Sequence, residues 1–368
     1  MPFRIPHTES LNTHSLSRIF NDTVATYKYY WFMSILDLYV STGNRRFRMW
    51  DIIISMIANA WYPIHYFRLS FGKSDSMYPA IMGIRALTDM PIDADRKLIE
   101  ATLKERFDRG DKELKKLLKV FSLNVPYRFL NPWIRTKDNR EMVLRSRSYE
   151  NCCLYALNDD GAGGFYIDIN PEWTGYLQRN YQILVDFTYW NLVSFLQVRN
   201  PNVPNIAGKL VRPEYRRSLS RQHLFWDTVI EAGGPVHCIY TGRTLYEGGF
   251  DLDHFIPWSF VTHDLAWNLV PSDSSVNSSK SDRIPDLDVF LPGLVRLHRH
   301  AIASYLNVGR NSKPLEDYLT LGYSIPDLMS MNTDSFYEVF HRTFSPMVQI
   351  AWNMGFEKWD YKTQSNEQ

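Results

Sequence analysis

The chain contains little cysteine. It has three cysteines in 368 residues, and two of them, Cys152 and Cys153, are adjacent. Such a set cannot form a framework of disulfide bonds. The opening residues MPFRIPHTES also lack the apolar run of a secretory signal peptide. Both absences favour a protein of the reducing cytoplasm.

A long uninterrupted hydrophobic run is also missing. The two most apolar segments, 29–40 and 49–67, are short or are broken by polar residues such as Asp37, Asp51 and Asn59. A membrane-spanning helix needs about 20 largely apolar residues. Both segments are therefore predicted to be buried core helices, and no membrane partner is expected.

Neither sign of charge is in excess. Lysine and arginine total 41 and aspartate and glutamate total 40, so the formal net charge is +1. A nucleic-acid surface would have to come from local clustering of basic side chains. The 45% hydrophobic and 15% aromatic residues indicate an ordered protein with a substantial core.

Apolar residues recur at helical spacing through much of the chain, which predicts a mainly α protein. In the N-terminal part the predicted helices cover 15–41, 49–60, 93–107, 112–121 and 173–199. The segment 200–205, NPNVPN, should stop any helix and is taken as a domain boundary. Residues 1–205 are therefore predicted to form a helical recognition or regulatory region.

Basic residues cluster directly after this boundary. Within thirteen residues the chain carries Lys209, Arg212, Arg216, Arg217 and Arg221. Such a run is commonly a solvated helix face, but arginines can also contact a nucleic-acid backbone. Both interpretations stay open from the sequence.

The next segment combines strand, turn and helix patterns. A short strand is predicted over 236–241 and a second over 250–254, with glycines between them, as in a β-hairpin. A loop follows, and Pro271 and Ser272 indicate a helix start, with Ser272 as a candidate N-cap for a helix over 273–281. Within this succession of strand, loop and helix lie the polar residues Asp253, His254, Asn268 and Asn277.

This segment resembles the HNH, or ββα-metal, nucleases. The matching residues are Cys238 to Gly242, Leu252 to Ser259, Trp267 to Pro271 and Asn277 to Lys280. Asn268 follows His254 by fourteen residues and Asn277 follows Asn268 by nine, spacing similar to the HNH domain of RNA-guided CRISPR nucleases. At a background of roughly 5% per residue type, four such residues at fixed offsets would arise in about two of a thousand chains.

The resemblance implies a DNA endonuclease. His254 would activate water, because an imidazole is abundant in its neutral form at physiological pH. Asp253 and Asn277 offer the oxygen ligands that suit Mg²⁺, for which Mn²⁺ could substitute. Asn268 would orient the loop near His254, and Lys280 on the helix would meet phosphate.

The resemblance also shapes the domain plan. Residues 206–310 would form a small ββα-metal nuclease domain and 311–368 would add C-terminal helices packed on it, giving an α+β protein overall. Many HNH proteins carry a structural zinc on two Cys-x-x-Cys pairs; Cys238 has no such partner, so no structural zinc is expected.

Two alternatives stay open: an RNA or structure-specific nuclease using the same site, and a nucleic-acid-binding or sensing module with a vestigial nuclease fold. The N-terminal half bears a loose likeness to bacterial HNH proteins of anti-phage defence loci, of which the HNH component of type II Zorya systems is one candidate. Other proteins of a defence system are therefore conceivable partners. A single site without a visible dimerisation element predicts nicking of one strand.

Overall fold

A computed structural model describes residues 4–161, 164–212, 218–309 and 313–361. The chain divides into two compact units. The first comprises residues 1–201 and 206–212, and the second comprises 202–205 and 213–368. The described chain is mainly helical with a few small sheets, which confirms the prediction of a mainly α protein.

The first unit is a helical assembly with one small sheet. Its helices are α1 (Thr13–Ser17), α2 (Tyr27–Thr42), α3 (Met49–His65), α4 (Met77–Thr88), α5 (Arg96–Asp108), α6 (Lys112–Ser122), α7 (Val125–Arg128), α8 (Asn139–Arg147), α9 (Thr174–Arg179) and α10 (Tyr181–Arg199). Short 3-10 turns cover Glu150–Cys152, Pro171–Trp173 and Ala207–Lys209. The strands β1 (Arg46–Arg48), β2 (Tyr155–Asp159) and β3 (Phe165–Ile169) form an antiparallel sheet with β3 in the centre.

The apolar segments of the sequence form the core of this unit. Helices α2 and α3 pack together, and Trp31 and Trp61 are fully buried. The indole of Trp31 donates to Tyr155 Oη at 3.1 Å, and that hydroxyl donates to the carbonyl of Pro126 at 2.7 Å. No helix among the described residues is both long enough and apolar enough to cross a membrane.

One prediction for this unit was wrong, and its small sheet was missed. The single helix expected over 15–41 is interrupted after Ser17 and resumes at Tyr27. Asp75 fixes the restart, because its carboxylate accepts hydrogen bonds from the backbone N and the hydroxyl of Thr26, both at 2.7 Å. The strands β2 and β3 were not predicted, since each is five residues long and carries few periodic positions.

The described part of the second unit contains six helices and two two-stranded sheets around one core. Its helices are α11 (Ser220–Gly233), α12 (Trp258–Val261), α13 (Ser274–Lys280), α14 (Leu287–Asn307), α15 (Ile325–Ser330) and α16 (Thr333–Asn353), with 3-10 turns at Ala266–Asn268 and Lys313–Leu321. Its strands are β4 (Val236–His237), β5 (Thr244–Leu245), β6 (Asp251–His254) and β7 (Leu269–Ser272). Helix α14 packs on both α11 and α16.

The C-terminal helices α15 and α16 share a hydrophobic core with residues of α11 to α14 and of the strands between them. Phe344 of α16 lies 5.1 Å from Phe255 and 5.5 Å from Trp267, measured between ring centroids. Trp359 packs edge-on against Tyr240 at 5.1 Å. The contacts of Phe344 stabilise the loop between β6 and β7, to which Phe255 and Trp267 belong.

The strand pairing differs from the predicted hairpin. Strand β4 pairs with β5 through a tight turn at Gly242, while β6 pairs antiparallel with β7. Pro271 was interpreted as part of a helix start, but it lies within β7 opposite Leu252. A two-stranded sheet has only edge strands, where a proline without an N–H is tolerated. The helix N-cap is consequently Asp273, which accepts from Ser275 N, rather than Ser272.

Candidate active site

The end of β6 presents two adjacent polar residues. Asp253 pairs with Val270 and His254 with Leu269 in the β6–β7 register. Successive side chains of a strand point to opposite faces. Asp253 is accordingly buried at 3% exposure, whereas His254 is only half-buried. The strand ends at His254, and Phe255 N donates to the carbonyl of Asn268 at 2.8 Å.

His254 forms a pair with a carboxylate. Its Nε2 lies 2.9 Å from Asp264 Oδ1, and the two side chains retain 15% and 21% of their exposure. A carboxylate at this nitrogen favours the tautomer that carries hydrogen on Nε2. Nδ1 has no hydrogen-bond partner among the residues that the structure describes. The pair therefore leaves one imidazole nitrogen available as a proton acceptor.

Asp253 lies in a different environment. Lys280 Nζ donates to Asp253 Oδ1 at 3.0 Å and to the backbone carbonyl of His254 at 2.6 Å. Tyr240 donates its hydroxyl to Asp253 Oδ2 at 2.5 Å. The Lys280 side chain has 0% exposure and that of Asp253 has 4%. Both carboxylate oxygens are thus engaged inside the protein, and the charge is balanced by an ammonium.

Burial also affects Tyr240. The phenol is fully enclosed, and burial together with the neighbouring Asp253 carboxylate raises its pKa well above the usual value. Tyr240 therefore stays protonated and acts as a hydrogen-bond donor. The turn after β4 places it there: Cys238 N donates to the carbonyl of Arg243, and Gly242 N donates to the carbonyl of Cys238.

Asn268 ties the loop to the strand end. Its Oδ1 accepts from Ile256 N and its Nδ2 donates to the Ile256 carbonyl, both at 2.9 Å, with the residue fully buried. Ile256 lies two residues after His254. The closeness to His254 that the sequence predicts is present, and an influence of Asn268 on catalysis stays a prediction.

Helix α13 lies against β6 and brings Asn277 to the same side as Lys280. The two residues are three apart and share a helix face. The Asn277 side chain is half-exposed and forms no hydrogen bond with a described residue. Asn277 thus offers an amide oxygen at the edge of the site, whereas Lys280 extends into the interior.

The two predicted metal ligands, Asp253 and Asn277, differ in how open their oxygens are. A hard divalent cation requires open carboxylate and amide oxygens. Asn277 meets this condition, but Asp253 does not, because Lys280 already places a positive charge 3.0 Å from one of its oxygens. In this arrangement Asp253 and Asn277 do not form an open cation site. The same burial removes Lys280 from the direct phosphate contact expected for it.

The predicted basic cluster is divided between the two units. Arg212 is exposed in the first unit and Arg221 is exposed on α11 in the second. Arg216 and Arg217 lie outside the described residues. Lys209 is buried, and this burial lowers its pKa to about 7, so it is no surface cation.

Two residues of the site were missed in the sequence. Asp264 lies in a loop without periodicity, ten residues after His254, and no spacing rule singles it out. Tyr240 was noted only as a matching residue of the first strand. The sequence offered one weak indication of Asp264: it is an acidic residue in the loop that follows the Asp253-His254 pair.

Comparison with known proteins supports a nuclease domain at this place. Residues 238–286 match the family described as HNH endonuclease. That segment contains Tyr240, His254 and Lys280 together with β6, β7 and α13. Searches of curated proteins and of solved structures found no match. The family match indicates hydrolysis of phosphodiester bonds in nucleic acid and therefore nucleic-acid binding.

Proposed function

We propose that the protein is a DNA endonuclease of the HNH type that uses His254 as general base and nicks one strand. The observation that carries the proposal is the His254–Asp264 pair, 2.9 Å apart, within the segment that matches the HNH endonuclease family. A base that must abstract a proton from water needs a defined tautomer and a fixed orientation. The carboxylate of Asp264 supplies both.

The proposed step begins with the transfer of one proton from water to His254. His254 Nδ1 takes a proton from the attacking water, and the resulting imidazolium is stabilised by the Asp264 carboxylate on Nε2. Water attacks phosphorus, the bond to the leaving 3′ oxygen breaks, and that oxygen takes up a proton from solvent to become a hydroxyl group. The buried bridge of Asn268 to the backbone of Ile256 holds the loop that follows His254.

We propose Mg²⁺ as the cofactor, with Mn²⁺ as a substitute, and Asp253 and Asn277 as its ligands. Support comes from the family match, since HNH nucleases typically use a divalent metal, and from the open amide oxygen of Asn277. Binding in this mode requires the Lys280 ammonium to leave Asp253 Oδ1. Lys280 is therefore proposed to compete with the cation for the carboxylate.

The proposed partner is DNA. Arg212, Arg216, Arg217 and Arg221 are proposed to contact the phosphate backbone, supported by the positive charge of this stretch next to the nuclease segment. Replacement of all four by alanine should lower affinity and flatten its dependence on salt. A role in anti-phage defence, with further defence proteins as partners, rests on the resemblance of the N-terminal half alone.

A gel assay tests the function. Purified full-length protein is incubated with supercoiled plasmid, linear DNA and RNA in Mg²⁺ and in EDTA, with the His254→Ala variant as control. We expect EDTA-sensitive cleavage of DNA by the wild type only. Cleavage of RNA alone would establish an RNA nuclease at the same site. Binding without cleavage of any substrate would favour a non-catalytic binding module.

A further inference from the structure

A large cavity opens in the first unit. Its wall is formed by residues from the segments 18–28, 74–76 and 120–135. Its volume is about 770 Å³. Cavities that bind small molecules usually measure about 300 to 1,000 Å³. The size is therefore suited to a ligand of the dimensions of a nucleotide.

Positive charge dominates the wall of the cavity. The described lining includes four cations, Arg18, Lys28, Arg128 and Arg135, against the single acid Asp22. Among the described residues no carboxylate forms an ion pair with any of the three arginines. Their guanidinium groups keep capacity for an anionic ligand, and guanidinium binds phosphate oxygens in bidentate fashion.

The contacts of the three arginines leave them available, whereas Lys28 Nζ already donates to the backbone carbonyls of Ile19 and Asp22 at 3.1 and 3.0 Å. Arg18 lies 3.5 Å from His14 Nε2, and Arg128 donates only to the carbonyl of Lys137 at 3.4 Å. No side-chain hydrogen bond is present for the exposed Arg135 within the described part of the chain. A bound phosphate would thus gain charge-assisted hydrogen bonds without breaking an existing ion pair.

The remainder of the lining suits the rest of a nucleotide. Thr23, Ser74 and Ser76 carry hydroxyl groups, and Val24 and Leu123 are apolar side chains with 82% and 50% exposure. Asn131 Oδ1 is enclosed and has no hydrogen-bond partner among the described residues. Buried acceptors are nearly always satisfied, so this oxygen is a candidate partner for an N–H group of a ligand.

We propose that this cavity binds a phosphorylated ligand of nucleotide size, with the arginines on the phosphate and the apolar side chains against the base. The ligand is a free nucleotide or the 5′-phosphorylated end of a nucleic-acid strand, which share this chemistry. The site is independent of His254 and of the proposed cleavage reaction.

Binding to the full-length protein tests the proposal. Isothermal titration in EDTA, which prevents cleavage, is carried out with ATP, AMP, inorganic phosphate and a 5′-phosphorylated DNA tetranucleotide. We expect binding of the nucleotides or of the tetranucleotide at least tenfold tighter than binding of inorganic phosphate. Tight binding of ATP or AMP identifies a free nucleotide, and tight binding of the tetranucleotide alone identifies a strand end.

Matched charge reversals locate the site. Arg135→Glu removes a cation of the cavity, whereas Arg140→Glu makes the same change at an exposed arginine outside it. Arg135→Glu should weaken binding at least tenfold, with Arg18→Glu acting in the same direction and Arg140→Glu close to wild type. Equal losses in the Arg135 and Arg140 variants, or no binding of any probe at millimolar concentration, would overturn the proposal.

Discussion

The imidazole of His254 and the carboxylate of Asp264 meet at 2.9 Å, although ten residues separate them in the sequence. The loop that joins them is fixed at several points: Asn268 bridges the backbone of Ile256, and Trp267 packs against Phe344. A base whose orientation depends on a distant loop residue should be sensitive to changes in that loop.

The first prediction concerns this pair. His254→Ala should reduce cleavage by at least about 100-fold, because general-base catalysis contributes about 10² to 10⁴ in rate. Asp264→Asn keeps the size of the side chain but replaces the carboxylate by a neutral amide. Its rate should fall between those of wild type and His254→Ala, measured as initial nicking rates at saturating substrate.

Asp282→Asn is the matched control for this experiment, because Asp282 also lies in the family-matched segment and forms no hydrogen bond or ion pair with His254. It should retain the wild-type rate. A wild-type rate in Asp264→Asn would show that Asp264 does not position His254.

A second prediction addresses the buried ion pair of Lys280 and Asp253. Lys280→Met leaves a buried carboxylate without its cation, which typically costs about 3 to 5 kcal/mol of stability. If a divalent cation competes with Lys280 for Asp253, added Mn²⁺ should restore part of this stability. The melting temperature of Lys280→Met should therefore rise more steeply with Mn²⁺ concentration than that of the wild type.

The double variant Asp253→Asn/Lys280→Met distinguishes Mn²⁺ binding at Asp253 from Mn²⁺ binding elsewhere in the protein. Without the carboxylate it should lose the response to Mn²⁺ and recover part of the stability, since no charge remains buried. An identical Mn²⁺ response in all three proteins would place the cation elsewhere and exclude competition at Asp253.

The sequence could predict the residues of this site better than their contacts. The offsets between four polar residues match a known pattern, and the structure places all four on or beside β6, β7 and α13. These residues are Asp253, His254, Asn268 and Asn277. Asp264 lies on a loop, where neither period 2 nor period 3.6 applies, so its contact with His254 depends on tertiary packing. The role of Lys280 was equally inaccessible, because spacing gives the helix face but not the direction of a long flexible side chain.

The pairing of the strands shows a similar limit. Pro271 and Ser272 were interpreted as a helix start, yet all four residues of 269–272 are buried in β7. Fourteen residues separate β7 from its partner β6, and this connecting loop has its own helical turns. Local turn patterns therefore favoured the nearer pairing with 236–241.

A third prediction tests the structural bridge at Asn268. Asn268→Ala removes two buried hydrogen bonds and leaves the backbone groups of Ile256 unsatisfied. Each unsatisfied buried group costs about 1 to 3 kcal/mol. Urea unfolding should show a loss of this order, and Asn277→Ala, at a half-exposed residue without a described partner, should unfold within about 0.5 kcal/mol of wild type. Equal losses in the two variants would contradict the bridging role.

A fourth prediction concerns pH and the buried His298. Burial lowers the pKa of His298 to about 3, while an unfolded histidine titrates near 6.5. Between these values the unfolded chain binds a proton that the folded chain does not, so stability falls as pH decreases from about 6.5 towards 3. From pH 7.5 to pH 5 this effect amounts to about 2 kcal/mol, at about 1.4 kcal/mol per pH unit.

The variant His298→Gln isolates this contribution, because glutamine can still pair with the Tyr318 hydroxyl, 2.8 Å from His298 Nδ1, but does not titrate. The stability difference between wild type and variant should shrink by about 2 kcal/mol between pH 7.5 and pH 5, measured by urea unfolding. Titration of the other groups, including the buried His65, is common to both proteins and cancels. A difference independent of pH would show that folding does not lower the pKa of His298.

The last prediction is the order of products from a supercoiled plasmid. The chain contains one Asp253-His254 pair with its asparagines and no second copy of the pattern. One such site attacks one phosphodiester at a time, and the strands of a duplex run antiparallel. Cutting both therefore requires a symmetric dimer or a second encounter in the opposite orientation.

Open circles should consequently accumulate first, and linear DNA should follow late, as independent nicks come to lie close together. The time course is followed on gels over a tenfold range of protein concentration. A monomer that nicks gives the same order of products at every concentration, since only the rate changes. Linear DNA at the earliest times, before open circles accumulate, would show concerted cleavage of both strands, and dependence of that product on the square of protein concentration would assign it to a dimer.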